Sequence, residues 1–223
     1  MRAELLRVRN AVARRIVKRR LTCTPRADLC RLGSPGAGWW VPESSIKPGA
    51  VAYCAGAGVD ITFDLALLDR GCRVTTFDPT PRAIEHVRRS APVEPGFRFQ
   101  PVGWWDADEE IRFYAPRNSS HVSHSALNLQ GTSKFFTAPV RRVDHLMAEL
   151  GDDHVDLIKM DIEGAELRVI PALLRHGPLP DVLCVEFDQP QPLRSLVATV
   201  RMVEEAGYDL NMIERWNFTF SRR

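Results

Sequence analysis

The sequence has no long hydrophobic run, no paired-cysteine motif and little net charge, and each absence excludes a class of protein. No stretch approaches the roughly 18 uncharged apolar residues of a membrane-spanning helix, so we expect the chain not to cross a bilayer. The five cysteines are odd in number and include no Cys-x-x-Cys pair, which argues against zinc and redox motifs and favours a reducing cytoplasm. A formal net charge of +2 is too small to indicate a nucleic-acid partner.

Residues 1–20 carry most of the charge asymmetry, with seven Arg and one Lys against one Glu. No apolar stretch of about 7–15 residues follows them, so we expect no secretory signal. Apolar side chains recur at helical spacing from Leu5 to Val17, which predicts a basic amphipathic helix over residues 2–20. Such a helix can pack its apolar stripe on the body, cover the substrate as a lid, or make peripheral contact with an anionic membrane surface.

The organisation changes near residue 37. Residues 22–49 are rich in proline and predict a loop, so we divide the chain into an N-terminal helix and linker (1–36) and a body (37–223). In the body, short apolar runs alternate with amphipathic segments, which predicts an α/β fold with a mainly parallel sheet and helices on both faces. The closing runs, Tyr208–Glu214 and Trp216–Ser221, are separated by one residue and must pair antiparallel.

A glycine-containing turn is the strongest local feature. The apolar run Val51–Cys54 leads into Gly56, Ala57 and Gly58, and a helical pattern follows. This turn lets a ligand approach the backbone closely, and the helix N-terminus offers free N–H groups. Asp78 ends the next strand, twenty residues after Gly58, where a carboxylate can accept hydrogen bonds from a ribose diol. Together these residues predict a site for an adenosine-containing cofactor.

The same turn separates two classes of cofactor. A dinucleotide fingerprint requires Gly or Ala three residues after its second glycine, and Ile61 stands there instead. S-adenosyl-L-methionine has no pyrophosphate and needs only the shorter turn. The spacing therefore favours S-adenosyl-L-methionine over a nicotinamide dinucleotide.

A second group of acids follows a central strand. Asp161 and Glu163 come directly after the apolar run that ends at Met160, at the edge where open parallel sheets bind ligands. We predict that both lie where a transferred group would sit. Glu166 falls in the first turn of the next helix, where an acid suits the helix dipole, so a capping role is favoured for it.

These residues resemble the FkbM-type family of class I S-adenosylmethionine-dependent methyltransferases over roughly residues 37–221. The matching segments are Gly38–Pro42, the glycine turn with Asp60, Phe77–Pro81, His121–Ser125, Asp156–Glu166 and Val185–Phe187. The run Asp161–Glu166 is the most family-specific. Tyr53–Gly56 departs from the wider class, which often has an acidic residue and a further glycine there.

The resemblance implies a Rossmann-like seven-stranded sheet with the last strand antiparallel, S-adenosyl-L-methionine as cofactor, and methylation of an oxygen. By position, Gly56, Ala57 and Gly58 would line the methionine part, Asp78 would hold the ribose, and Asp161 would face the sulfonium and the acceptor. The other predicted cofactor-binding residues are Tyr53, Asp60, Pro79, Thr80, Gly103 and Trp104.

A hydroxyl acceptor benefits from a base that takes its proton. The candidates are Asp161, His124 and Glu163, with Glu186 in reserve. His124 can equally be an exposed loop residue. A zinc pair with His121 lacks further ligands, and a Mg²⁺ site formed by Asp161 with Asp188 is a weaker alternative, so we predict no metal.

Three functions remain open from the sequence. The first is O-methylation of a small-molecule or glycan acceptor, with no nucleic-acid partner expected. The second is a nicotinamide-dependent oxidoreductase, which would use Asp78 for the same ribose contact. The third is a methyltransferase-like protein that binds but does not react. The four tryptophans in pairs, Trp39–Trp40 and Trp104–Trp105, can pack in the core or wall a pocket.

Overall fold

The computed structural model describes residues 2–117, 124–187 and 192–223, and for residues 2–9 the backbone alone. The helices are α1 (Arg2–Arg20), α2 (Thr62–Leu68), α3 (Pro81–Ser90), α4 (Val143–Leu150), α5 (Glu166–His176) and α6 (Leu193–Glu205). The strands are β1 (Leu29–Leu32), β2 (Trp39–Pro42), β3 (Val51–Ala55), β4 (Arg73–Phe77), β5 (Phe97–Gln100), β6 (Gly103–Trp104), β7 (Glu109–Tyr114), β8 (Phe135–Arg141), β9 (Leu157–Met160), β10 (Val182–Glu186), β11 (Tyr208–Glu214) and β12 (Asn217–Arg222). No helix within the described ranges has the length and apolar character needed to span a membrane.

Seven strands form the central sheet in the order β11-β12-β10-β9-β3-β4-β5. Strands β3, β4, β5, β9 and β10 pair in parallel, whereas β12 runs antiparallel to both of its neighbours. The predicted α/β fold, a mostly parallel seven-stranded sheet with an antiparallel last strand, is confirmed. Because the chain leaves β3 toward β4 and later returns to β9 on the other side, a crevice forms between β3 and β9 at their carboxyl ends.

Alternating side chains divide the core between the two faces of this sheet. In β3, Tyr53 joins the cluster that contains the buried faces of α4, α5 and α6, whereas Cys54 joins the cluster that contains α2. Ala83 and Val87 bury α3 in a third, smaller cluster with the glycine turn. Strands buried on both faces are mainly apolar, as in β10, where the four residues before Glu186 are apolar and buried. The free thiols of Cys54 and Cys184 are buried in the sheet.

Two small sheets were not predicted from the sequence. Strands β6, β8 and β7 form a three-stranded sheet, with β6 parallel and β7 antiparallel to β8. Strands β1 and β2 pair within the segment that the prolines predict to be a loop. They form because Leu32, Trp39 and Val41 are buried against α2 and β3. These two strands flank the proposed boundary at residue 36, and the division of the chain there stays a prediction.

The carboxyl-terminal half of α1 contacts the body. Val17 is fully buried in the main cluster, and Leu21 follows it there, whereas Val12 and Ile16 are exposed. Of the three roles considered for this basic helix, packing on the body describes its last turn.

Candidate functional site

A cavity opens at the carboxyl ends of β3, β4 and β9, with the small β6-β8-β7 sheet as one wall. Most of the residues predicted to bind the cofactor line it. They are Gly56, Ala57, Gly58, Asp60, Asp78, Pro79, Thr80, Gly103, Trp104 and Asp161. The candidate bases Glu163 and His124 line the same cavity.

The glycine turn is packed directly against the acidic loop. Gly56 has φ +88°, and a Cβ built there would lie 1.8 Å from the carbonyl oxygen of Asp161. Only glycine fits at this contact, both for its positive φ and for the absence of a side chain. The loops that follow β3 and β9 therefore meet through their backbones at Gly56.

Lys159 stabilises the same contact between the glycine turn and the acidic loop. The sequence analysis assigned this residue no role. Its Nζ donates to the carbonyl oxygens of Ala55 (3.1 Å) and Gly56 (2.5 Å), and lies 3.6 Å from Oδ2 of Asp161. Burial lowers the pKa of Lys159, but the nearby carboxylates of Asp161 and Asp64 outweigh it, and the net shift is upward. The ammonium therefore stays charged. A lysine inside an otherwise apolar strand was the signal available in the sequence.

Asp78 is buried where β4 ends. One carboxylate oxygen accepts the N–H of Gly58 (3.0 Å) and the other accepts the N–H of Thr80 (2.8 Å). These bonds fix the carboxylate at the cavity wall, and each oxygen keeps a lone pair for a ligand hydroxyl. The acid that the sequence predicts for ribose is thus preorganised beside the glycine turn.

Asp60 connects the turn with the segment before β2. Its carboxylate accepts the N–H and hydroxyl of Thr62 and the hydroxyl of Ser34 (2.7 Å). Burial raises the pKa of Asp60, but these hydrogen bonds outweigh it and the net shift is downward. Ala37, three residues after Ser34, lines the cavity and was missed by sequence reasoning.

The acidic loop after β9 is held from both sides. Oε1 of Glu166 accepts the N–H groups of Ile162 (3.0 Å) and Gly164 (3.2 Å), and the hydroxyl of Ser125 donates to the carbonyl of Glu163 (2.7 Å). Burial raises the pKa of Glu166 to about 8. Glu163 has φ +55°, an uncommon conformation for a residue with a side chain. Glu166 therefore shapes the loop that presents Asp161 and Glu163.

The wall built by the small sheet is aromatic. The ring of Trp104 contacts that of Phe77, with centroids 5.3 Å apart, and His124 contacts Phe136 edge to face at 5.2 Å. Nε1 of Trp104 is buried and has no hydrogen-bond partner among the described residues. A buried indole N–H without a partner is costly unless a ligand accepts from it.

Several predicted residues lie elsewhere. Tyr53 points into the core beneath the sheet, where its hydroxyl donates to Asp152 (2.8 Å), and it does not line the cavity. Trp39 and Trp40 also lie away from the cavity, and Nε1 of Trp40 donates to Glu214 (3.0 Å). Glu186 is outside the lining, although burial followed by the charge of Asp161 raises its pKa.

Both metal sites considered from the sequence include a residue that the structure does not describe. His121 and Asp188 both lie outside the described residues. Within the described residues, no group of three or more His, Cys, Asp or Glu side chains is placed to hold a metal ion.

The lining fits a nucleoside with an amino-acid tail. A fixed carboxylate, Asp78, stands beside a glycine turn, the aromatic wall of Trp104 and Phe113 offers a flat apolar surface, and the unpaired indole N–H supplies a donor. Gly58, with φ +52°, leaves the opposite side of the turn without a side chain. These are the groups that the adenosine and methionine parts of S-adenosyl-L-methionine would contact.

Comparisons with solved structures return matches of low similarity. The fibrillarin pre-rRNA processing protein of Methanococcus jannaschii is 11% identical with a TM-score of 0.47, over 80% of this chain and 68% of that one. A TehB-like SAM-dependent methyltransferase from Corynebacterium glutamicum is 12% identical with a TM-score of 0.42, over 81% and 84%. At these values neither carries weight in the functional argument. A search of curated proteins finds no significant match.

The sequence family gives the decisive comparison. The model of the methyltransferase FkbM domain matches residues 53–210, which is well over half of the chain. The match covers the end of β3, the glycine turn, Asp78, all of β9 and the acidic loop, and it decides between the two cofactor classes that the sequence left open. The chain therefore belongs to the methyltransferase FkbM domain family and is an S-adenosyl-L-methionine-dependent methyltransferase.

Proposed function

We propose that the protein methylates a hydroxyl oxygen of a small molecule or sugar. The observation that carries this proposal is the position of Asp161, whose side chain is 32% exposed and lines the same cavity as Asp78. A carboxylate that is both accessible and beside the cofactor cavity can accept a proton from an incoming hydroxyl. His124, on the facing wall, is the second candidate base.

When bound, S-adenosyl-L-methionine would supply a methyl group activated by its positively charged sulfur, and Asp78 with the glycine turn would hold it. The protein has to position the acceptor and receive its proton. Lys159 places its positive charge 3.6 Å from Oδ2 of Asp161 and donates to the carbonyl oxygen of Gly56, where the glycine turn meets the acidic loop. Positioning of this kind lowers the activation free energy by roughly 7–11 kcal/mol in favourable cases.

Glu163 has a different part in this arrangement. Its carbonyl accepts from Ser125, and its left-handed backbone turns the chain from β9 toward α5. Ser125 follows His124 directly, so the loop that carries His124 is attached to the acidic loop. The two candidate bases are thereby held at a fixed separation across the cavity.

The test is transfer of a labelled methyl group to a panel of hydroxylated small molecules and sugars. Asp161→Asn removes the base while keeping the side-chain volume, and we expect it to lower kcat about 10²–10⁴-fold. The affinity for S-adenosylhomocysteine should change little. Asp153→Asn is the matched control, because Asp153 is exposed and lies before β9 at the opposite end of the strand.

The outcomes separate the proposal from its alternatives. Transfer to a hydroxyl that is lost in Asp161→Asn but kept in Asp153→Asn supports O-methylation. Transfer to nitrogen, sulfur or carbon acceptors alone would overturn it. Cofactor binding without turnover on any acceptor would favour a protein that binds but does not react.

A further inference from the structure

A second cavity adjoins the first through a shared residue, His124. It lies on the outer side of the β6-β8-β7 sheet edge, between the start of α3 and the loops after β7 and before β8. An acceptor whose hydroxyl reaches Asp161 would extend past His124 into this space. The second cavity is therefore placed to hold the rest of the acceptor.

The second cavity is lined by positive charge from three separate segments. Arg82 comes from the first turn of α3, Arg117 from the segment after β7, and Lys134 from the residue before β8. Its described lining contains no Asp or Glu. Three cations that converge on one concave surface raise the local concentration of anions.

Arg117 is held in place through its backbone and its Nε, and no described residue forms a hydrogen bond with its terminal nitrogens. Its backbone N–H donates to the side-chain oxygen of Gln130 (2.8 Å), and its Nε donates to the Gln130 carbonyl (2.7 Å). Within the described parts of the chain, neither Arg117 nor Lys134 forms an ion pair with a carboxylate. A guanidinium fixed through Nε presents a fork of two nitrogens, which matches a phosphate or carboxylate.

Hydrogen bonds order the loop that precedes Lys134. The side chain of Asn128 donates to the carbonyl of Thr132 and accepts its N–H, and the hydroxyl of Thr132 donates to the carbonyl of Ala115. These hydrogen bonds fix the loop that precedes Lys134 against the segment that leads to Arg117.

We infer that the methyl acceptor carries an anionic group, a phosphate ester or a carboxylate, which Arg117 and Lys134 bind in the second cavity while the hydroxyl lies beside His124 and Asp161. This inference rests on the proposed function and adds the substrate class to it. It also explains why His124 borders both spaces, since the acceptor would pass beside its ring.

The experiment titrates inorganic phosphate, and separately acetate, into the full chain with and without S-adenosylhomocysteine. The dissociation constant is followed by NMR shifts of the backbone amides of Thr132 and Ser133. The variant Arg117→Gln with Lys134→Gln removes both charges. The control, Arg201→Gln with Lys47→Gln, removes the same charges from exposed positions on α6 and before β3.

We expect saturable anion binding, and we expect the Arg117→Gln, Lys134→Gln variant to weaken it about tenfold. This effect is at the lower end for hydrogen bonds to charged groups, because the two side chains are exposed. The control pair should leave it unchanged, and higher ionic strength should weaken it. Tighter phosphate binding indicates a phosphate ester, and tighter acetate binding a carboxylate. Equal affinity in both variants, or shifts that do not saturate, would overturn the inference.

The design keeps two failures apart. If S-adenosylhomocysteine binds and methyl transfer prefers neutral acceptors with equal rates in both variants, the anionic acceptor is wrong and the methyltransferase stands. If S-adenosylhomocysteine does not bind, the proposed function fails, whereas the phosphate titration without it still decides whether the second cavity binds anions.

Discussion

The contact between Gly56 and Asp161 allows the account to be tested by one added methyl group. Gly56→Ala places a Cβ 1.8 Å from the carbonyl oxygen of Asp161, at a φ of +88°. The left-handed conformation costs about 1–2 kcal/mol for a residue with a side chain. Since contacts under 3.0 Å force a shift, the acidic loop must also move by more than 1 Å. A displacement of that size costs about 10²-fold in rate when catalysis depends on alignment.

Gly49→Ala is the matched control for this change. Gly49 has φ +85°, nearly the same as Gly56, but nothing lies within 4 Å of the position its Cβ would take. We expect Gly49→Ala to lose about 1–2 kcal/mol of stability and to keep its activity. Gly56→Ala should lose more stability, bind S-adenosylhomocysteine weakly and transfer methyl groups at least about 10²-fold more slowly.

Denaturant unfolding measures the stability of each variant. Calorimetry measures the affinity for S-adenosylhomocysteine, and transfer of a labelled methyl group measures the rate. If Gly56→Ala matches Gly49→Ala in all three, the backbone contact between the glycine turn and the acidic loop has no role in positioning Asp161. The reasoning about the site would then be wrong.

Three further changes test separate parts of the structure. Tyr53→Phe removes the hydrogen bond to Asp152 and should cost about 1 kcal/mol of unfolding free energy, with unchanged affinity for S-adenosylhomocysteine; a marked loss of affinity would return Tyr53 to the cofactor site. Glu166→Gln keeps an oxygen for the N–H bonds but cannot ionise. Burial raises the folded-state pKa of Glu166 to about 8, so the wild type should lose roughly 1–3 kcal/mol of unfolding free energy as the pH rises from about 5 through 8. This loss should be smaller in the variant. Parallel pH profiles of the two proteins in thermal unfolding would contradict the prediction. Trp104→Phe keeps a ring beside Phe77 but removes the indole N–H, so we expect cofactor affinity to fall about fivefold, as measured by calorimetry. Because Trp104 is buried, the smaller ring should also lower the unfolding free energy. Equal cofactor affinity would show that no ligand accepts from this N–H.

The parts of the site that the sequence predicts are those encoded by consecutive residues. The strand, glycine turn, helix and following strand lie within residues 51–78, so Gly56, Gly58 and Asp78 are placed by local geometry alone. Asp161 follows the same logic, because it ends a parallel strand at the edge where the others end. The role of Lys159, two residues before Asp161, could not be predicted, because its partners are carbonyl groups more than a hundred residues away.

The parts that were missed depend on long-range pairing. Strand β6 has two residues and pairs with β8 at Val140 and Arg141, so no local pattern marks it. Strands β1 and β2 have four residues each and lie in a segment rich in proline and glycine, so no local pattern predicts them, and they form because Trp39 can be buried against α2. Tyr53 was predicted to bind the cofactor, whereas the structure buries its side chain in the main cluster, on the face of β3 opposite to Cys54.

The central claim is that the cavity beside Asp78 holds S-adenosyl-L-methionine. Calorimetric titration of S-adenosylhomocysteine and NADH into the wild type and Asp78→Ala tests it most directly. We predict one molecule of S-adenosylhomocysteine bound per chain, more tightly than NADH, and at least about a tenfold loss of affinity in Asp78→Ala. Tighter binding of NADH, or an unchanged affinity for S-adenosylhomocysteine in Asp78→Ala, would contradict the account.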